Sequence, residues 1–320
     1  MGLVRIVLRR MALGIVTLWL VSLVIFAATQ VLPGDAARVI LGQNATPARV
    51  ATLRAQLNLD RPIVDQYWTW ATGLVKGDLG MSLSLHRVAV ASIIRDRVKN
   101  SLGLVLMAAV IGVPLSILVG ALSARWRDGW LDMSVSVTTL ALASVPEFVL
   151  GVGCILLFST SVFHILPAVS AVSGDAPFWP QRNMFVLPTM TLVLAVAPYI
   201  VRMLRASMIE VLESEYVAMA RLKGVRERLV LSRHALPNAL VPVIQGTALQ
   251  LAWLAGGIVV VEYLFGFRGI GQALVEAIAS RDVPTIQAVT MLIAGVYVVL
   301  NLLADILTIL ITPRLRTGLR

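Results

Sequence analysis

Six long apolar runs, at about 11–31, 102–123, 132–160, 185–206, 239–264 and 286–311, leave this chain few ways to fold. A helix needs about 20 apolar residues to cross the hydrocarbon layer of a bilayer, and each run reaches that length. Inside hydrocarbon every backbone N–H and C=O must be satisfied by the protein itself, so only helices and closed barrels can span it. Barrel strands would read as segments of about ten residues with alternating polarity, and no such alternation runs through the sequence. The expected fold is an all-α integral membrane protein with six transmembrane helices, 1–320 forming a single domain. Composition agrees: 58% of the residues are hydrophobic and 14% charged, against roughly 25% charged in soluble domains.

Six spans put both termini on one side. Arg5, Arg9 and Arg10 precede the first run, and Lys/Arg also gather in 124–131, 207–238 and 312–320. The short loops on the opposite side, 161–184 and 265–285, carry only Arg182, Arg268 and Arg281. The positive-inside rule therefore assigns both termini and the loop 207–238 to the cytoplasm; the loop 32–101 is long enough to escape the rule. The formal charge of +10 is explained by these flanks and calls for no nucleic acid. The first run is longer than the apolar core of a signal peptide and lacks a convincing small-x-small site before Pro33, so it is expected to be an uncleaved anchor.

The outer loop 32–101 carries helix signals. Thr46-Pro47 reads as an N-cap followed by proline at the first helical position, with Val50, Leu53 and Leu57 on one face. A second helix is expected near Pro62, with an apolar stripe at Ile63, Tyr67, Trp70 and Leu74. Tyr67, Trp68 and Trp70 suit the headgroup layer. Gly77-Asp78-Leu79-Gly80 reads as a turn, and Val88, Val90, Ile93, Ile94 and Val98 lead into the second span. This loop is either a packing layer or a platform for an extracytoplasmic partner.

Several chemistries lack their residues. No lysine among Lys76, Lys99 and Lys223 is followed by Ser or Thr, as a P-loop requires. His86, His164 and His234 are far apart, and no H-E-x-x-H or G-x-S-x-G occurs. The glycines of Phe265-Gly266-Phe267-Arg268-Gly269-Ile270-Gly271 follow no strand and read as a turn after the fifth span. Cys154 is single and lies in an apolar run, so it reads as a buried structural thiol. No metal site and no enzymatic activity are expected.

Acidic residues within spans are costly and normally face protein or a water-filled cavity. Glu147, next to Pro146, and Asp305 are therefore candidates for lining a pathway or for structural hydrogen bonding. Pro146, Pro198 and Pro242 interrupt the backbone ladder within spans, which is tolerated where neighbours or cavity water satisfy the freed groups. Gly256-Gly257 favours close helix contact.

The loop 207–238 contains a compact polar stretch. Ser214 is placed to cap a helix beginning at Glu215, with Arg221 and Lys223 in its last turn and Gly224 at the C′ position. Ala218 and Ala220 keep this helix thin enough to enter a groove. Val225–Ala235 reads as a second helix, with Pro237 opening the fifth span. By residue pattern alone the stretch is either a handle for another protein or a turn resting on lipid, with Arg221, Lys223, Arg226 and Arg228 near anionic headgroups.

Tyr216-Val217, then Ala220-Arg221-x-Lys223-Gly224, then Arg233-His234-Ala235-Leu236-x-Asn238-Ala239 resemble the cytoplasmic loop of ABC importer permeases. More narrowly, they resemble the B-type permease of dipeptide and oligopeptide importers. The likeness runs along the chain through Leu32-Pro33-Gly34-Asp35, Leu59-Asp60-Arg61-Pro62, Gln66-Tyr67 and Gly77-Asp78-Leu79-Gly80. It continues through Glu262 with Gly269-Ile270-Gly271, Arg281-Asp282-x-Pro284, Asn301-Leu302-x-x-Asp305 and Pro313-Arg314-Leu315-Arg316. Ala218-Met219-Ala220 departs from the Glu-Ala-Ala of the wider importer pattern.

The resemblance implies the type I importer permease fold in a bacterial inner membrane. It implies a second, homologous permease subunit, two cytoplasmic ABC ATPases that bind ATP and Mg, and an extracytoplasmic binding protein. The chain itself would hold no cofactor, and membrane lipid would surround it. Glu215, Tyr216, Ala218, Ala220, Arg221, Lys223 and Gly224 become the residues expected to couple to an ATPase. Pro146, Glu147, Pro198 and Asp305 are the candidates for pathway lining. Peptides are the expected solute class; nickel, glutathione or an oligosaccharide are alternatives within the family, and a stand-alone secondary transporter or channel lies outside it.

Overall fold

The computed structural model of the protein describes residues 2–31, 45–56, 60–84, 88–173 and 178–311. Leu32-Pro33-Gly34-Asp35, Leu57, Leu59, His86 and Pro313-Arg314-Leu315-Arg316 lie outside the described residues. Those described form helices, with one isolated bridge, Met81 to Ala89, in place of strands. The helices are α1 (Gly2–Val31), α2 (Pro47–Gln56), α3 (Ile63–Val75), α4 (Val90–Arg125), α5 (Trp130–Ser144) and α6 (Glu147–Ile155). They continue as α7 (Phe178–Leu212), α8 (Glu215–Leu222), α9 (Leu236–Phe265), α10 (Ile270–Ala279) and α11 (Val283–Ile311).

Four of these are long and apolar enough to cross a membrane, and six spans result if each of two bent pairs counts as one. The expected third span, 132–160, is not straight. α5 and α6 meet at 106°, because Pro146 supplies no N–H and disfavours helical backbone at Val145 before it. The fifth span bends by 55° between Leu251 and Gly256. Pro198 and Pro242, by contrast, lie inside continuous helices.

α7 is the central helix: 61% of its apolar window is buried, against 17% for α1. It packs on α4, α5, α6 and α9. The core includes Leu104, Leu187, Leu192, Ile200, Leu204, Leu254, Phe265 and Phe267. Cys154 is buried within it, as an apolar setting requires. Small residues let α4 and α7 touch: a Cβ on Gly120 would come within 2.9 Å of the Val201 carbonyl oxygen.

α1 lies along α11. Arg10 pairs with Asp305 at 3.0 Å, and the Gln287 amide donates to the Thr29 hydroxyl at 2.8 Å. At 1.5 Å per residue these ties are about 28 Å apart along α1, close to the thickness of the hydrocarbon layer. α3 packs on the same helix. Tyr67 is buried: its ring meets Phe26 edge-on at 5.4 Å, and its hydroxyl lies 2.9 Å from Ser22 Oγ. Trp68 is exposed, and so is Ile63, the first residue of the expected apolar stripe.

Candidate functional site

The polar stretch after α7 folds as a compact handle. α8 ends in a Schellman motif: the Gly224 N–H donates to Arg221 O at 2.9 Å and the Val225 N–H to Ala220 O at 3.2 Å. Gly224 has φ +74, the left-handed conformation that this motif asks of its glycine. At the other end Ser214 holds the N-cap position without a side-chain cap. Its hydroxyl turns back to donate to Val211 O.

The handle has its own small core of Val217, Ala220 and Val230, with Val211, Leu212 and Val225 against it. Ala220 is therefore an inward packing residue, and only Ala218 thins the outer face. Arg221 grips Glu227 through two bonds, Nη2 to Oε1 at 2.8 Å and Nε to Oε2 at 3.1 Å. The hydrogen bond with Glu227 raises the Arg221 pKa above its usual value. Tyr216 Oη donates to His234 O at 3.3 Å. Glu215, Tyr216, Ala218, Met219, Leu222 and Lys223 are exposed. The expected second helix begins at Glu227: a single α-helical turn, Glu227–Leu229, passes through π-helical Val230–Ala235 into α9.

A second cluster, not singled out by the sequence, stands beside the handle. Asp132, in the first turn of α5, is buried and accepts from Arg205 Nε at 2.5 Å and Nη2 at 2.7 Å. It also accepts from Ser123 Oγ at 2.5 Å and the Asp128 N–H at 3.0 Å. Arg127, in the α4–α5 turn, pairs with Glu213 where α7 gives way to the handle. In the sequence these residues stand at or beside the ends of apolar runs. The available signal was a carboxylate in a helix's first turn beside an apolar run, with an arginine inside another.

At the end of α9 remote from the handle, Glu262 is fully buried. It accepts from Ser101 Oγ, from the Gly271 N–H at 2.7 Å and from the Gln272 N–H at 3.4 Å. It thereby caps α10, whose N-terminal partial charge favours a carboxylate. The glycines make this possible, since a Cβ on Gly269 would fall 2.1 Å from Glu262 Oε1. Asp282 similarly fastens the outer loop, accepting from Ser82 Oγ, from Ser84 Oγ at 3.0 Å, from the Leu83 N–H at 3.0 Å and from Thr285 Oγ1 at 2.9 Å. Burial pushes the Asp282 pKa up, but these four donors hold it below the usual carboxylate value.

The four candidates for pathway lining are not brought together. Glu147 opens α6 directly after Pro146 and is half-buried over α9. A Cβ on Gly257 would lie 3.2 Å from both of its carboxylate oxygens. Pro198 is buried inside α7, and Asp305 is taken by Arg10.

Fold and handle define a polytopic helical membrane protein with a compact polar protrusion at one end of its bundle. Residues 112–317 match the family of binding-protein-dependent transport system inner membrane components, and residues 3–104 match that family's N-terminal region. The chain belongs to this family: it is a multi-pass inner membrane permease component of a binding-protein-dependent ABC importer. The family works with a substrate-binding protein and ATPase subunits and is a transport family rather than a catalytic one. A putative peptide transport system permease protein of Brucella suis biovar 1 is 37% identical over 308 residues, covering 96% of this chain and 98% of that one. The glutathione transport system permease protein GsiC of Escherichia coli K12 is 36% identical over 310 residues, covering 97% and 98%.

Proposed function

We propose that this chain forms one half of the translocation pathway of an importer for di- or oligopeptides, driven through the handle by a cytoplasmic ATPase. Both termini and the loop 207–238 lie in the cytoplasm. A second, homologous permease supplies the other half of the pathway. Each permease seats its handle in one of two ATPases, which bind the ATP and Mg. Closure of the ATPase pair draws the handles together and turns the pathway outward, where the binding protein releases substrate. Lipid surrounds the pair.

The observation that carries this reading is the bracing of the handle. Its Schellman end, the Arg221–Glu227 grip, the Tyr216 bond and the Val217–Ala220–Val230 core make it stiff, and only a stiff element transmits a displacement. Tyr216, Met219 and Leu222, flanked by Glu215 and Lys223, form its docking face. Pro146 and Glu147 line the pathway where α5 and α6 bend. The names of the relatives support peptides or glutathione as solute.

Gly224→Pro tests the coupling. Proline cannot adopt φ +74, so the variant should insert normally yet lose ATP-dependent uptake. Unchanged uptake would remove the handle from the mechanism. Competition with dipeptides, tetrapeptides and glutathione in the same assay identifies the solute class.

A further inference from the structure

α5 is attached to the rest of the protein in an unusual way. Of its fifteen residues only Asp132 and Thr139 are buried. Met133, Val137 and Leu140 are exposed at 68%, 63% and 56%. A helix normally takes its position from an apolar face packed on a neighbour; here the deepest anchor is a carboxylate. Two nitrogens of Arg205, the Ser123 hydroxyl and the Asp128 N–H together occupy the roughly four acceptor sites a carboxylate offers. Arg205 stands two turns before the end of α7, and α7 leads into the handle. Beside it, Arg127 joins the α4–α5 turn to Glu213 at the handle's root. The far end of α5 is the 106° bend at Val145-Pro146, followed at once by Glu147.

We propose that the bidentate Asp132–Arg205 clamp, backed by the Arg127–Glu213 pair, makes α5 a lever that carries displacement of the handle to the Pro146 bend and so to Glu147. The four residues are positioning residues: none needs to touch the solute. The mechanics follow from the attachment. α5 packs on α7 without fully burying an apolar side chain, so it moves with whatever holds its first turn. A two-bonded ion pair with a buried carboxylate is directional and resists sliding, where an apolar contact would slip. Pro146, which breaks the backbone ladder, is the pivot at which that displacement turns Glu147, the residue that follows it. The inference rests on the coupling reading above, and its test separates the two.

The test uses the assembled importer, with its ATPases and binding protein, in proteoliposomes. Spin labels on Arg228→Cys, exposed on the handle turn that follows α8, and Val137→Cys on exposed α5 report their separate displacements when ATP is added, in a Cys154→Ser background. Both labels should move in the parent protein. In Asp132→Asn the handle label should still move while the α5 label stays, and solute imported per ATP hydrolysed should fall by about tenfold. Arg127→Gln and Glu213→Gln, both at exposed positions that do not threaten folding, should each weaken α5 movement, and the pair should be no worse than either alone. Undiminished movement of the α5 label in Asp132→Asn and Arg127→Gln, or an unchanged import-to-hydrolysis ratio, overturns the lever. Failure of the handle label to respond to ATP in the parent protein instead removes the coupling reading and the lever with it.

Discussion

The Glu262 carboxylate lies where a side chain on Gly269 would be: a Cβ there would stand 2.1 Å from Oε1. Sequence offered the glycine and the glutamate as separate marks. Folding makes them one fixture, in which an acid caps α10 because the chain beside it has no side chain.

Gly269→Ala should therefore force a buried, triply bonded acid out of place. The backbone there has φ −111, so the cost is steric and electrostatic rather than conformational. We expect a loss of about 1–3 kcal/mol, read as a lower thermal unfolding temperature of the detergent-solubilised protein. An unchanged transition would mean that Glu262 does not hold this position.

Gly224→Ala differs in kind. No atom lies within 4 Å of a Cβ added there, but φ is +74. The cost is left-handed backbone alone, about 1–2 kcal/mol. It should appear as faster amide exchange in α8, with the membrane helices unaffected. Uniform exchange across all helices would contradict a local handle.

Tyr67→Phe isolates one hydrogen bond. Ser22 Oγ already donates to Trp19 O at 2.6 Å, so the Tyr67 hydroxyl is the donor in their 2.9 Å contact. The change should cost about 1 kcal/mol. Tyr67→Ala also removes the ring from Phe26 and Trp70 and should cost about 3–5 kcal/mol. Thermal unfolding of the two variants in parallel checks the ratio.

Asp282 gives the outer loop a pH dependence. Its folded pKa lies below the unfolded carboxylate value of about 3.9. The stabilisation is thus fully present above that value and is lost as pH falls through the lower folded value. Proteolytic nicking of the segment 79–89 should rise on acidification in the parent protein. In Asp282→Asn it should be high already at neutral pH, with no further acid step from this group.

Much of the fold was legible because the bilayer imposes a length rule that one run of residues either meets or misses. Apolar runs marked the membrane helices, α3 followed from its apolar stripe, and the handle followed from its polar composition and glycine placement. The Gly224 conformation was legible for the same local reason: a helix of that length, ending before a polar turn, needs a left-handed residue there. Three features were not. The span 132–160 became two helices at 106°: the interruption at Pro146 was legible, but its angle was not, because an apolar run has the same composition whether or not it bends. Ala220 was expected on the outer face, but eight residues of α8 allow several rotations, and the partner that fixes one, Val230, arrives only after the next turn. Asp305 and Pro198 were set beside Glu147 by sequence, but their partners were not legible there: Asp305 pairs with Arg10, and Pro198 is buried in α7.

The sequence alone determined that this is a helical membrane protein with a capped polar handle, because hydrophobic length and backbone conformation are local properties. Only the tertiary structure decided which charges are tied. Asp132 and Arg205 are 73 positions apart, and Ser101 and Glu262 are 161 apart. Such pairs exist because separate helices, each dictated by its own stretch of chain, are packed at close range, and no local pattern records which faces will meet.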